Sequence, residues 1–311
     1  MTILLTGASG FIGSATLTTA IKKNIKIRPV YRSSKDMVSQ SNAVLLENQD
    51  CFADWTHALE GVDIVIHAAG LTPNIQFKEV DQSAKYKSVN FDATLNLARQ
   101  AAKVGVSRFV FVSTIKVNGE VTIKGHPFTA DHEPAPVDDY AISKAEVEEQ
   151  LKLLSSQSKM ELTIVRSPLI YGQGVKGNFA TLLKLVRLGL PLPLGCITHN
   201  YRSFICLDNF VDFLLMCSFH PKAGNQTFLI SDGEDFSTFE MLNKIGKAMG
   251  KNIRFVRIPV WFISIIFFLS GNKDMSRRLV GSLQVDIRKS CDLLGWTPLV
   301  STDEGLKRMF E

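Results

Sequence analysis

Thr6-Gly7-Ala8-Ser9-Gly10-Phe11-Ile12-Gly13 follows the apolar run Ile3-Leu4-Leu5 and leads into a helical pattern through Lys22. A strand, a glycine-rich turn and a helix in that order make a cradle for a dinucleotide diphosphate. Gly7 permits the tight turn, Gly10 lets backbone amides approach the diphosphate, and Gly13 lets the helix pack on the sheet. Ser9, Phe11 and Ile12 complete the turn, and the helix N-terminus faces the phosphates. An ordinary strand-to-helix turn is the competing reading.

Outward from that turn, short β-branched runs alternate with longer helical patterns, which predicts an α/β fold built on a doubly wound parallel sheet. Strands are expected at Ile3–Thr6, Lys26–Tyr31, Ala43–Leu46, Asp63–His67, Arg108–Ser113 and Glu161–Arg166, with helices near Phe11–Lys22, Ser88–Val104 and Asp139–Ser156. Pro and Gly punctuate the chain after Arg166, so residues 1–170 read as the dinucleotide-binding domain and 171–311 as a smaller, interleaved α/β lobe. Strand-like Ser203–Cys206 and Phe228–Ser231 are expected to return to the first domain. Ser237-Thr238-Phe239-Glu240 is a capping box that opens a helix toward Met249.

The second strand ends in Val30-Tyr31-Arg32-Ser33-Ser34-Lys35, without the acid that would bind a free ribose 2′-hydroxyl. Arg32 can grip a 2′-phosphate, which favours NADP(H) over NAD(H). Arg32 and Lys35 as solvated loop charges are the alternative.

Tyr140 and Lys144 stand one helical turn apart in Tyr140-Ala141-Ile142-Ser143-Lys144. A phenol with an ordinary pKa near ~10 carries protons poorly at neutral pH, and a fixed cation beside it favours the phenolate. The spacing alone is common on solvated helices. The upstream glycine turn gives it weight.

With these motifs and Thr114, the chain resembles the extended short-chain dehydrogenase/reductases that act on nucleotide sugars. The resemblance spans nearly the whole length and includes His67-Ala68-Ala69, Asn90, Ser113-Thr114 and Arg166-Ser167-Pro168-Leu169-Ile170-Tyr171-Gly172. It implies a Rossmann-type domain whose cofactor contacts include His67, Ala68, Ala69, Asn90 and Pro168. Thr114 would bond the sugar C4 oxygen beside Tyr140, and Lys144 would hold the nicotinamide ribose and lower the Tyr140 pKa. Arg202 would clamp the nucleotide diphosphate with bidentate geometry. Asn178, and Pro193-Leu194 beneath a uracil, are further substrate contacts. Arg277 or Arg278 would add a second phosphate contact, with Asp286 nearby in sequence. Dimers through a helix pair are common in this superfamily.

Sugar 4,6-dehydratases of the superfamily follow the catalytic threonine with an Asp-Glu pair, whereas Ile115-Lys116 stands here. Elimination then lacks its acid and base, leaving 4-keto reduction or 4-epimerisation. Segments such as Ser113–Glu120, Gly189–Gly195 and Gly281–Asp286 resemble a UDP-glucose 4-epimerase-like bacterial branch. That branch includes 4-ketoreductases that form UDP-N-acetylquinovosamine for O-antigen. Reduction of a UDP-4-keto-6-deoxy-N-acetylhexosamine by NADPH is the leading expectation. A 4-epimerase with tightly held NAD is the runner-up, and a non-catalytic NADP(H) redox sensor is the alternative of another class. Lys116 reads either as a contact to the substrate's acetamido or phosphate group or as a solvated loop lysine.

The 311 residues carry 35 basic against 30 acidic side chains, a formal net charge of +5 with no basic block, so nucleic acid is not an expected partner. Five scattered cysteines without a C-x-x-C pair suggest neither disulfides nor a zinc site, and a reduced cytoplasm fits them. The apolar stretch Ile258–Ser270 is too short to span a bilayer. It reads as a core helix of the second lobe, or else as a patch that meets a membrane surface or membrane enzyme.

Overall fold

The computed structural model describes residues 1–37, 42–73, 82–269, 277 and 279–311, apart from the side chains of residues 178, 264, 266, 267 and 269. Its strands are β1 (Ile3–Thr6), β2 (Ile27–Tyr31), β3 (Val44–Leu45), β4 (Ile64–His67), β5 (Arg108–Thr114), β6 (Glu161–Ser167), β7 (Leu169–Tyr171), β8 (Arg202–Cys206), β9 (Gln226–Leu229) and β10 (Asp235–Phe236). Seven of them form one parallel sheet in the order β3-β2-β1-β4-β5-β6-β9. The order reverses between β1 and β4, the switch point where open α/β sheets bind ligands at their C-terminal edge.

Alternation along each strand builds two cores. Ile3, Leu5, Val110 and Val112 face one side with helices α1 (Phe11–Lys22) and, later in the chain, Leu207–Phe219. Leu4, Phe109 and Phe111 face the other. That side is covered by α2 (Thr56–Leu59), by α3 (Gln82–Tyr86) leading through a π-turn at Lys87–Asp92 into α4 (Ala93–Lys103), and by α5 (Asp139–Ser156). Phe109 and Phe111 are fully buried, each contributing roughly 1.5–3 kcal/mol of transfer free energy.

The second lobe collects α6 (Gly177–Leu188), α8 (Thr238–Ala248), α9 (Val260–Leu269) and α11 (Thr302–Arg308) around a third core. Two more helices, α7 (Leu207–Phe219) and α10 (Arg288–Leu294), return to the large sheet. Of the two strands expected to rejoin the first domain, β9 pairs with β6, but β8 does not. It lies between β7 and β10 in a separate three-stranded sheet. Its alternating side chains explain the split: Phe204 and Cys206 enter the third core while Ile205 enters the first. The capping box forms as expected, with Ser237 and Glu240 each bonding the other's backbone N–H.

Helix α9 departs from the expected core helix. Ile263 is buried, but Trp261 is 64%, Ile265 45% and Phe268 61% exposed. A helix apolar on every side offers only one face to the lobe, so the remainder meets solvent. Among the described residues, no helix is long and apolar enough to cross a membrane.

Candidate active site

Gly7 leaves β1 at the switch point with φ +70°, and a Cβ there would lie 2.8 Å from backbone atoms of Ala68 and Ala69. A Cβ on Gly13 would lie 2.0 Å from the Gly7 carbonyl oxygen, so the helix rests directly on the turn. Gly10 caps α1 with no side chain and no acid follows in the first turn, while Ser9 and Gly10 are exposed. A helix N-terminus left uncapped in a cradle too tight for a Cβ fits a dinucleotide diphosphate. Phe11 and Ile12 pack their side chains against the core, leaving their backbone to face the cradle. Arg32 is the first residue past β2 and is exposed, and the first carboxylate after that strand is Asp36, within the turn Ser34–Asp36.

Two of the expected cofactor contacts also tie protein elements together. His67 is buried with one ring nitrogen 2.8 Å from the Thr6 hydroxyl, the other 2.9 Å from that of Thr94, and its ring stacked on Phe111. Both nitrogens are occupied, and burial followed by the Lys144 charge pushes its pKa down to about 3, so it is a neutral clasp between β1, β4 and α4. Asn90 is also buried. Its Oδ1 accepts from Leu71 N–H at 2.8 Å, and its Nδ2 donates to the Leu71 carbonyl at 3.1 Å and to Ser143 Oγ at 3.3 Å. It ties the loop after β4 to α5, from within the π-turn. Ala68 and Ala69 are half-buried at the lip of the cradle, and Pro168 is buried between β6 and β7.

Thr114 ends β5, in register with Ser167 at the end of β6. Its half-buried hydroxyl accepts the Lys116 N–H at 3.3 Å, opening a short turn. Asp138 caps α5 by accepting from Ala141 N–H at 2.8 Å, and places Tyr140 and Lys144 on successive turns. Lys144 is buried, donates to the Val112 carbonyl at 3.0 Å and lies 4.5 Å from the Phe111 ring centroid. Burial lowers its pKa to about 8 against an opposing pull from Glu148. Tyr140 stands 5.8 Å, ring to ring, from the buried Tyr86.

The expected depression of the Tyr140 pKa is not what this arrangement produces. Desolvation, then Asp138, then Tyr86 all raise it, and the Lys144 ammonium is turned to a carbonyl.

Lys116 is not a solvated loop lysine. Its ammonium bonds Glu120 at 2.9 Å and also the Asp138 carboxylate, while Arg277 lies 3.5 Å from Glu120. The loop after Thr114 is zipped onto the chain near residue 283 by Thr122 N–H to Ser282 carbonyl (2.8 Å) and Phe128 N–H to Gln284 carbonyl (2.9 Å). Arg202 donates to the Gly281 carbonyl at 3.0 Å, and Gly281 N–H returns to the Arg277 carbonyl at 2.9 Å. Thr114, Lys116, Arg202 and Arg277 are therefore joined through one continuous set of contacts. Leu194 is not part of it: its side chain is buried in the third core, so only the exposed Pro193 can offer a surface there. Asn178 begins α6, with its side chain outside the described atoms, as is the whole of Arg278. Asp286 bonds Arg288, not Arg277.

One element of the site escaped the sequence reading. Glu148, two turns beyond Tyr140, is buried and binds Arg166 through contacts of 2.5 and 3.1 Å, while accepting from Ser113 Oγ at 2.5 Å. Arg166 also donates to Asn118 at 2.9 Å. This group locks α5 to β5, β6 and the loop after Thr114. A carboxylate continuing the four-residue spacing of Tyr140 and Lys144 was the available signal.

A doubly wound sheet with a glycine cradle at its switch point and Thr, Tyr and Lys at the same edge defines a dinucleotide-dependent oxidoreductase of the short-chain type. Residues 3–231 match the NAD dependent epimerase/dehydratase family, and the chain belongs to that family. It is 42% identical over 308 residues to a UDP-glucose 4-epimerase of Vibrio cholerae, covering 98% of this chain and 93% of the relative. An N-acetyl-alpha-D-glucosaminyl-diphospho-ditrans,octacis-undecaprenol 4-epimerase of Escherichia coli O157:H7 is 27% identical over 83% of this chain and 75% of its own length. The fold matches a UDP-glucuronic acid 4-epimerase from Bacillus cereus in complex with NAD, with TM-score 0.79 at 20% identity, covering 100% of this chain and 97% of that one.

Proposed function

We propose that this chain is a UDP-hexose 4-epimerase that retains NAD(H) and serves surface-polysaccharide assembly. The observation that carries the reading is the 42% identity to a UDP-glucose 4-epimerase across 98% of the chain. Ile115-Lys116, in place of paired carboxylates, argues against dehydration. NAD, when bound, would accept the hydride from C4 and return it to the opposite face once the keto sugar had turned over in the site. Tyr140 takes the C4 hydroxyl proton and gives it back, and Thr114 orients the C4 oxygen. Lys144, bonded to the Val112 carbonyl in this structure, would favour the phenolate by turning toward it, while Lys116 screens Asp138. Arg202 and Arg277 hold the diphosphate, and Asn178 and Pro193 lie toward the uridine.

One observation favours a second reading, reduction of a 4-keto sugar by NADPH. Arg32 is exposed directly after β2, where a 2′-phosphate would sit. A redox sensor has no use for Thr114, Tyr140 and Lys144 together. Release of the copurifying cofactor by acid separates the first two: stoichiometric NAD supports the epimerase. Protein free of NAD that oxidises NADPH only with UDP-4-keto-6-deoxy-N-acetylglucosamine would overturn it.

A further inference from the structure

We propose that α9 and the cations beside it form a docking surface for an anionic lipid bilayer. Trp261, Ile265 and Phe268 recur at the four- and three-residue spacing of one helical face, and that face points outward at 64%, 45% and 61% exposure. Ile263, on another side, anchors the helix in the third core. The apolar surface extends beyond the helix. Val256 is 45% exposed, and its N–H donates to the Leu192 carbonyl at 2.9 Å, next to the exposed Leu190.

The chain that leads into α9 is basic. Residues 241–269 contain five Lys or Arg and no Asp or Glu. Lys244 is paired with Asp303, but Lys247, Lys251, Arg254 and Arg257 are exposed. An exposed Trp-bearing apolar stripe edged by cations matches an interfacial helix, whose apolar side enters the acyl boundary while the cations meet lipid phosphates. A second copy of the chain is the less favoured occupant, because a two-fold contact would set these cations against their own copies. Ten residues cannot span the bilayer, so the helix would lie in the interface plane.

The chain carries a built-in reporter. Trp55 and Trp296 are 2% and 1% exposed, so a change of tryptophan emission on vesicle binding belongs to Trp261. The full chain is titrated with phosphatidylcholine vesicles containing about 30% phosphatidylglycerol and then floated on a density gradient. The expected result is a blue shift with co-flotation, both absent with pure phosphatidylcholine. Trp261→Phe keeps flotation while losing the shift, and Trp261→Glu loses flotation. Arg254→Glu with Arg257→Glu weakens partitioning by more than about tenfold. Circular dichroism confirms that each variant is folded. Absence of flotation and shift, flotation indifferent to Trp261→Glu and to the charge reversals, or a wild-type dimer that dissociates on Trp261→Glu without vesicle binding would overturn the proposal.

Discussion

In the proposed mechanism Tyr140 and Lys144 supply the proton chemistry, and their surroundings set its pH dependence. Replacing Tyr140 with Phe is expected to lower kcat by about 10²–10⁴ with KM little changed, since general acid–base catalysis contributes on that order. Lys144 keeps its charge below about 8 and loses it above. The kcat/KM profile should therefore fall as pH rises through that value, and a flat profile to about pH 10 would show that the ammonium is not needed. His67 works in the opposite range. Its folded-state pKa of about 3 lies below the ordinary 6.5, so between those values the unfolded chain binds the extra proton. Its contribution to stability is present above 6.5 and is lost as pH falls toward 3. His67→Gln should flatten that acid limb in thermal melts. Lys116→Met would leave Asp138 without its cation beside Tyr140. A raised barrier to phenolate formation should then appear as a kcat lower by about tenfold at neutral pH, recovered in part as pH rises.

Helix α5 holds its register through Glu148, Arg166 and Ser113, and breaking one partner leaves a buried charge uncompensated. Glu148→Ala should destabilise the fold by about 3–5 kcal/mol in urea titration; a loss under ~1 kcal/mol would show the pair to be dispensable. The glycine turn, the strand alternation and the Tyr140–Lys144 spacing were legible in the sequence because each is written within one or two helical turns. The Glu148–Arg166 pair joins residues 18 apart and the Lys116–Asp138 pair residues 22 apart, so neither leaves a local pattern. His67 and Asn90 read as cofactor contacts from their motifs, but burial of a polar side chain between two elements is a tertiary fact. Likewise α9 reads as a core helix in sequence because its apolar character was visible and its position was not.

The two lobes are stitched by polar contacts as well as by cores. Tyr171 donates to the buried Asp232 at 2.7 Å, and that carboxylate also accepts Asn209 Nδ2 and the Cys206 N–H. Strands β7 and β8 and helix α7 thus converge at one point, at the end of β8 opposite Arg202. In the proposed mechanism the groups come from separate parts of the fold: the proton carriers from α5, Arg202 from the start of β8, and Arg277 from the chain just before Gly281. That division permits epimerisation or reduction, and only the fate of the hydride separates them. The most direct test is proton NMR of purified protein with UDP-glucose, UDP-N-acetylglucosamine or their C4 epimers, with no added reductant. A 4-epimerase gives the same epimer mixture approached from either side of at least one pair. Unchanged sugars in every tube, alongside NADPH-dependent consumption of a UDP-4-keto-6-deoxy sugar, would contradict that reading.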